Sequence, residues 1–318
     1  MEANISEMIE ANSELKDMLE QKAKEGFVSD VAESASNVSE SASSVSNVSE
    51  SASSVEELKE IVPLQEDDLP EVSVLIPTYN RRKFFPLFLF NITHLNYPPE
   101  KLEFVILDDS DKEPLFMNER ELKFISEKTG LSIIYHKEDK KYETIGQKRN
   151  KLVELANYKH LCMMDDDDLY LHTYLHYSMS LLKQNKLGLV GCLQMLFLYP
   201  EENDYKLSGI QSNNMCDMWP GTLVFTRKHF NSMNGFDKTN SNECKKMIEH
   251  NEKNVGISEA ALCCINISHK NDIIDKSSFK EQKLDGGKLE LSEEIKKMID
   301  AIFNDAPIEP VAEEEQVD

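Results

Sequence analysis

Short apolar segments that alternate with segments of helical spacing constrain the fold of this chain more than any other feature. Four runs rich in β-branched or aromatic residues are predicted to be strands: Val72–Ile76, Glu103–Leu107, Leu131–His136 and His160–Met164. Helical periodicity occupies the intervals 83–95, 119–128 and 144–157. Because parallel strands need long connections, this alternation predicts an α/β fold, with a mostly parallel twisted sheet flanked by helices.

Polar clusters follow three of the predicted strands, at the edge where sheets of this kind bind ligands. Residues 77–81 (PTYNR) follow the first strand, residues 108–110 (DDS) the second, and residues 165–168 (DDDD) the fourth. We expect these clusters to converge on one crevice. The sequence contains neither GxGxxG nor GxxxxGK[ST], so dinucleotide binding of the Rossmann type and P-loop chemistry lack their main support.

The four consecutive aspartates, Asp165–Asp168, point to a bound cation. Two adjacent carboxylates repel by roughly 4 kcal/mol at close contact and intermediate dielectric, and a cation removes that cost. Carboxylates suit Mg²⁺ or Mn²⁺, which complete their coordination with water and substrate phosphates. Acidic capping of a following helix accounts for one or two of these residues, but not for four.

The acidity of the chain is concentrated at its ends. The formal net charge is −23, and residues 1–70 hold 17 acidic and 4 basic residues, while residues 305–318 hold 6 acidic residues and no basic one. The chain therefore lacks the basic surface that nucleic acid needs, and we expect no nucleic-acid partner. No secretory signal, no membrane span and no CxxC pair is found in the sequence, which predicts a cytoplasmic protein with six reduced cysteines.

The two ends are predicted to lie outside the folded domain. Residues 1–25 have amphipathic helical spacing, and 12 of the 26 residues from Ser29 to Ser54 are serine, with VSESASSV repeated at 38–45 and 48–55. The serine-rich repeat has little apolar area to bury, which favours a disordered linker within residues 1–70. The alternative is a helical stalk that self-associates through residues 1–60. Residues 276–318 comprise a predicted helix, Leu291–Phe303, and an acidic tail.

The region between the two ends contains four segments whose order is typical of a known protein family. They are VSVLIPTYNR, EFVILDDS, IGQKRNKLVELANYKHLCMMDDDDLY and GTLVFTRKHFNSMNGFD, which fall within roughly 71–271, about two thirds of the chain. Together they resemble family-2 glycosyltransferases, the nucleotide-diphospho-sugar transferases of GT-A fold. The resemblance implies a GT-A domain over 71–275 that transfers a sugar, with inversion, from a nucleotide-sugar to a hydroxyl of a glycan, protein or small molecule. A UDP-sugar is the expected donor, and Mn²⁺ or Mg²⁺ the expected cofactor.

The resemblance also assigns roles to individual residues. Those expected to bind the nucleotide or its phosphates are Pro77, Thr78, Asn80, Arg81, Asp108, Asp109, Arg149 and Asp166. The metal-binding DxD carboxylates of the family match Asp165 and Asp167, although a run of four aspartates permits a slip of one residue. His269 is expected to be a further metal ligand.

The residue that takes the proton from the acceptor hydroxyl is the least certain assignment of this resemblance. The family usually carries an acidic pair some ten residues beyond its GFD segment, and here only Glu243 matches. Glu243 is therefore the expected base, with Asp237 and Glu249 as alternatives. Trp219 is expected either to stack on a sugar or to belong to the core. The alternative function is a non-catalytic member of the same fold that binds a nucleotide-sugar or a cation and is recruited through its serine-rich arm.

Overall fold

The computed structural model describes residues 61–200, 205, 207–269, 276, 279 and 291–303. The predicted amphipathic helix, the serine-rich repeat and the acidic tail lie outside these residues. The chain divides into two units, and the first consists of residues 1–60 and 123–129. Only 123–129 of that unit is described, as the end of one helix. The second unit contains both sheets and all the candidate site residues.

Seven strands form the main sheet. In order across the sheet they are β10 (Val255–Ser258), β6 (Leu189–Cys192), β9 (Val224–Thr226), β4 (His160–Met163), β1 (Val72–Thr78), β2 (Leu102–Asp108) and β3 (Ser132–Lys137). Within this sheet β9 is antiparallel to both its neighbours, and the other pairs are parallel. The predicted mostly parallel sheet is confirmed, and the four predicted strands lie close to their expected bounds.

Four further strands form a second sheet, in the order β5 (Leu169–Tyr170), β11 (Cys264–Ile267), β7 (Gln194–Leu198) and β8 (Ser208–Gln211). The helices of the described residues are α1 (Phe85–His94), α2 (Glu119–Thr129), α3 (Ile145–Leu155), α4 (Tyr174–Gln184), α5 (Arg227–Ser232), α6 (Lys245–Ile248) and α7 (Glu293–Phe303). The predicted C-terminal helix is thus present as α7. None of these helices is long and apolar enough to cross a membrane.

The central strands are buried on both sides, as expected of parallel strands covered by helices. Every residue of β1 and of β2 is buried. Leu75 and Val105 from these strands pack in one core with Leu152 of α3 and with Phe225 and Phe236. This packing fixes α3 against the sheet beside the carboxyl ends of the strands.

The start of α3 is determined by local sequence. Thr144 and Gln147 form a capping box, in which the Thr144 hydroxyl accepts from the Gln147 amide (3.2 Å) and the Gln147 side chain accepts from the Thr144 amide (3.3 Å). Gly146, which lies between these two residues in sequence, contacts the loop after α5, where an added Cβ would come within 1.7 Å of the Asp237 carbonyl oxygen. Only glycine permits this approach, which brings α3 beside the segment that carries Glu243.

Candidate active site

The residues that follow β1, β2 and β4 come together at one edge of the main sheet. Thr78 pairs with Asp108 in the β1–β2 register, and the Met164 amide donates to the Leu75 carbonyl (3.0 Å), so that the aspartate run lies beside the end of β1. We call this region the crevice. Its residues are 77–81, 108–110, 148–149, 165–168, 219–221, 243 and 269.

The loops after β1 and β2 are bound to each other. Asn80 adopts a positive φ of 53°, a conformation that asparagine tolerates better than most residues. Its amide donates to the Ser110 hydroxyl (2.7 Å), its side-chain NH₂ donates to Asp111 (2.7 Å), and its side-chain oxygen accepts two backbone amides. Pro77, within β1, is buried. These contacts give the wall of the crevice a fixed shape.

Asp108 and Asp109 are both engaged by protein donors. Asp108 accepts from the amides of Ser110 (2.8 Å) and Leu115 (2.7 Å) and from the Tyr135 hydroxyl (2.7 Å), so both of its oxygens hold the loop. Asp109 accepts from the Tyr142 amide (2.7 Å) and pairs with the Lys148 ammonium group. Asp108 therefore shapes the crevice, and it has no oxygen left without a donor.

Lys148 is a site residue that the sequence reasoning did not assign. Its buried ammonium group bonds both to Asp109 and to the Thr78 carbonyl, and thereby joins α3 to the ends of β1 and β2. Burial lowers the pKa of Lys148, and the charge of Asp109 opposes that shift. Its position next to Arg149, in the first turn of a helix that reaches the crevice, is the sequence signal that could have identified it.

Arg149 links two acidic residues across the crevice. Its Nε donates to Glu243 Oε1 (3.1 Å), and its Nη2 donates to Asp165 Oδ2 (3.2 Å). Nη1 lies 3.0 Å from Asp165 Oδ1, but the alignment is too poor for a hydrogen bond, and both atoms are buried without one. Burial alone would lower the pKa of Arg149, but Asp165 and Glu243 outweigh it and raise the pKa.

The remaining three aspartates of the run have different surroundings. Asp168 accepts from the Ile267 amide (3.0 Å) and so ties the run to β11. Asp167 Oδ2 contacts Arg81 Nη2 and His269 Nε2, each at 3.0 Å. Burial favours a raised pKa at Asp167, but Arg81 and His269 hold the pKa below its usual value. Asp166 is buried with Oδ2 unpaired, and burial and the neighbouring Asp167 raise its pKa to about 8.

Comparisons with known proteins agree with this architecture. The family model described as glycosyl transferase family 2 matches residues 73–247, which is more than half of the chain. The chain belongs to glycosyl transferase family 2. No protein with a curated description matches the sequence.

Solved structures of similar fold include two glycosyltransferase complexes. S. aureus TarS 1-349 in complex with UDP-GlcNAc is 12% identical, with a TM-score of 0.51 over 64% of this chain and 60% of that one. Mannosyltransferase PcManGT from Pyrobaculum calidifontis, in complex with GDP-Man and Mn²⁺, is 19% identical, with a TM-score of 0.49 over 67% of this chain and 61% of that one. The chain thus spans about three fifths of the length of each. The fold of this family-2 domain is of GT-A type.

Two of the three predicted metal ligands of the family-2 domain are in contact. Asp167 Oδ2 and His269 Nε2 are joined by a hydrogen bond of 3.0 Å, and Arg81 Nη2 contacts the same oxygen at 3.0 Å, so a cation would have to replace these contacts. The oxygen of Asp167 and the nitrogen of His269 fit the chemistry of Mn²⁺. The third, Asp165, faces Arg149 instead, and within the described residues no three His, Cys, Asp or Glu side chains are arranged to hold a metal. His269 is buried.

The three candidate bases occupy unlike positions. Glu243 is buried beside Arg149, and its Oε2 accepts no hydrogen bond within the described part of the chain. Asp237 is one-third exposed and pairs with Lys246 (3.3 Å), while its amide donates to the Glu243 carbonyl (2.7 Å). Glu249 is exposed and lies near Lys245. Of the three, Glu243 is the one that reaches the crevice.

Trp219 borders the crevice and does not belong to the plain core. Its Nε1 is buried without a partner, and a Cβ added to Gly221 would lie 3.0 Å from that nitrogen and 2.6 Å from Asp165 Oδ2. The ammonium group of Lys276 lies 5.9 Å from the centre of the Trp219 ring. The indole N–H therefore points toward the neighbourhood of Asp165.

We predict that Arg149→Met lowers the free energy of unfolding by about 3 kcal/mol, because it leaves Asp165 and Glu243 buried without their counter-charge. Adding Glu243→Gln to that variant should recover part of the loss, since it removes one of the two carboxylates. Urea unfolding measures both changes. Lys151→Met, on the exposed side of the same helix, is the control, with an expected change below about 0.5 kcal/mol. Further destabilisation by Glu243→Gln in the Arg149→Met background would contradict this reading of the ion pairs.

Proposed function

We propose that this chain is a metal-dependent, inverting glycosyltransferase that moves a sugar from a nucleotide-diphospho-sugar to a hydroxyl acceptor. One observation carries the proposal. Five buried polar side-chain atoms without a hydrogen bond belong to the crevice: Thr78 Oγ1, Asp166 Oδ2, Trp219 Nε1, and Arg149 Nη1 with Asp165 Oδ1, which form an ion pair at 3.0 Å. The other three such atoms of the described residues are dispersed over β8, β10 and β11. Because buried polar groups are normally hydrogen-bonded, this concentration supports a polar ligand that binds there.

The chemistry of these atoms fits a nucleoside diphosphate with a cation. Thr78 and Arg149 supply donors for hydroxyl or phosphate oxygens, whereas Asp165 and Asp166 supply acceptors for a cation or for ribose hydroxyls. Membership in glycosyl transferase family 2 supports the same ligand class. We propose UDP as the nucleotide, since a TarS structure of this fold is a UDP-GlcNAc complex. The acceptor is a glycan, a protein or a small molecule.

Each polar residue of the crevice has a proposed task. Thr78, Asn80, Arg81, Asp109 and Arg149 bind or orient the nucleotide and its phosphates, and Pro77 shapes the floor beneath it. Asp108 acts indirectly, because both of its oxygens hold the loop after β2. Lys148 keeps Asp109 in place.

Asp167 and His269, with Asp165, are the residues that would hold Mn²⁺ or Mg²⁺. A divalent cation stabilises the charge that develops on the leaving nucleoside diphosphate. Arg81 contacts Asp167 and adds positive charge at the same place. The guanidinium of Arg149 offsets the negative charge of Asp165, with which it forms an ion pair.

Glu243 is the proposed general base. In an inverting displacement the acceptor oxygen attacks the anomeric carbon directly, so the protein needs a proton acceptor and no covalent nucleophile. Arg149 binds one oxygen of Glu243, which fixes the carboxylate, while Oε2 is left to take the proton of the acceptor hydroxyl. The unused oxygen and the burial of Glu243 support this choice over Asp237.

The first prediction of the proposal concerns the aspartate run. UDP should bind the parent protein in the presence of Mn²⁺, and Asp165→Ala combined with Asp167→Ala should weaken that binding roughly 10²-fold, because the cation loses two carboxylate ligands. Calorimetric titration with UDP, with and without Mn²⁺, measures the effect. Asp139→Ala, which removes an exposed aspartate, is the control and should bind as the parent does. Mn²⁺-dependent UDP binding that survives in the double variant would show that the metal assignment is wrong.

The second prediction separates the base from the donor site. Glu243→Gln keeps the volume and the hydrogen bond to Arg149 but removes the basicity, so turnover should fall by roughly 10²–10⁴-fold while donor affinity stays within a few-fold. The donor for this assay is chosen beforehand, by testing which nucleotide-sugar of a panel the parent protein hydrolyses. Asp237→Asn is the matched control and should retain most of the turnover.

Three outcomes would require a different account of the chemistry. Normal turnover in Glu243→Gln with loss in Asp237→Asn would move the base to Asp237. A loss of donor affinity together with turnover in Glu243→Gln would place Glu243 in the donor site. Nucleotide-sugar binding by the parent without any hydrolysis or transfer would favour the non-catalytic binding module.

A further inference from the structure

The imidazole of His269 lies in an aromatic enclosure. Its ring centre is 4.8 Å from that of Phe84 and 6.4 Å from that of Phe303. The two phenyl rings also meet each other edge to face, with centres 5.8 Å apart. Only 2% of the His269 side chain is exposed. A histidine that faces Asp167 on one side is thus held by two phenylalanines on the other.

Phe303 comes from a part of the chain that the family match does not include. It is the last residue of α7, whereas the family model ends at residue 247. Helix α7 packs against α1 and buries Ile299 and Ile302. The Tyr205 hydroxyl donates to the Lys296 carbonyl (3.1 Å) and attaches the same helix at a second point. These contacts fix Phe303.

A cation bridges the two phenylalanines at the rim of the enclosure. The Lys83 ammonium group lies 4.9 Å from the ring centre of Phe84 and 5.0 Å from that of Phe303. Arg81, which pairs with Asp167, lies 5.6 Å from the Phe84 ring centre. One aromatic cluster therefore contacts both His269 and Arg81, the two groups that meet at Asp167 Oδ2.

The enclosure limits the orientations that the imidazole can adopt. Aromatic contacts of this kind stabilise a defined arrangement of the rings beyond the area that they bury. If the Phe303 ring is absent, the His269 ring gains space and loses one of its two walls. Groups that orient a metal ligand without touching the metal commonly change metal affinity by about 10–100-fold.

We propose that Phe303 is a positioning residue for the metal subsite, and that helix α7 completes the site by holding His269 with its Nε2 toward Asp167. This inference rests on the proposed function, because it requires His269 to be a metal ligand. It extends the functional unit beyond residues 73–247 to a helix at the far end of the chain.

The experiment compares variants of the full chain for Mn²⁺ binding in the presence of UDP. Free Mn²⁺ is quantified by electron paramagnetic resonance, and the nitrogen modulation of the bound ion reports a coordinated imidazole. Phe303→Ala should raise the Mn²⁺ dissociation constant about 10-fold or more and reduce the nitrogen modulation. Phe303→Tyr, which keeps the ring at a half-buried position, should bind as the parent does.

Two further variants separate positioning from stability. Ile299→Ala removes a buried side chain one turn earlier on α7, so it should lower the unfolding midpoint as Phe303→Ala does, while the dissociation constant stays within about 2-fold. His269→Ala should abolish the nitrogen modulation. An unchanged constant in Phe303→Ala, or an equal rise in Ile299→Ala, overturns the inference.

The parent protein distinguishes failure of this inference from failure of the proposed function. Mn²⁺ that binds without nitrogen modulation and is unaffected by His269→Ala overturns the role of Phe303, but leaves metal-dependent transfer in place. No Mn²⁺ binding by the parent, with UDP present, overturns both.

Discussion

The ion pairs of Arg149 with Asp165 and Glu243 are the interaction on which the site depends. A buried guanidinium is costly unless its charge is compensated, and here the two compensating carboxylates come from segments that are distant from each other in sequence. Arg149 thereby joins the aspartate run, which we propose serves the donor, to Glu243, the proposed base. The close approach of Gly146 to Asp237 makes this join possible, because a side chain at 146 would push α3 away from that loop.

The crevice combines rigid walls with unsatisfied groups. The side chains of Asn80, Asp108 and Lys148 form hydrogen bonds with the backbone of the loops and strand ends. The walls of the crevice are therefore held by the protein's own contacts. Thr78 Oγ1 and Asp166 Oδ2 are buried without a well-formed hydrogen bond, and a polar ligand in the crevice would supply one. Walls that the protein's own contacts hold in place would need little rearrangement on binding, as the proposed catalytic role requires.

The sequence predicted the fold and the place of the site better than the contacts within it. Strand and helix periods and the polar residues after β1, β2 and β4 are local signals, and parallel pairing brings those ends together whatever the side chains do. Which partner each carboxylate takes depends on distances between segments far apart in the chain. For this reason the three donors to Asp108, the partners of Lys148 and the enclosure of His269 by Phe303 could not be predicted from local patterns, although the place of Lys148 beside Arg149 marks it as a candidate site residue.

The most direct test of the central claim is the position of a bound metal in crystals grown with UDP and Mn²⁺. Anomalous scattering near the manganese edge locates the ion independently of the rest of the structure. The account predicts one strong peak about 2.2 Å from both Asp167 Oδ2 and His269 Nε2, with the diphosphate of UDP beside it in the crevice. UDP in the crevice with no peak at these residues, or UDP bound elsewhere on the protein, would contradict it.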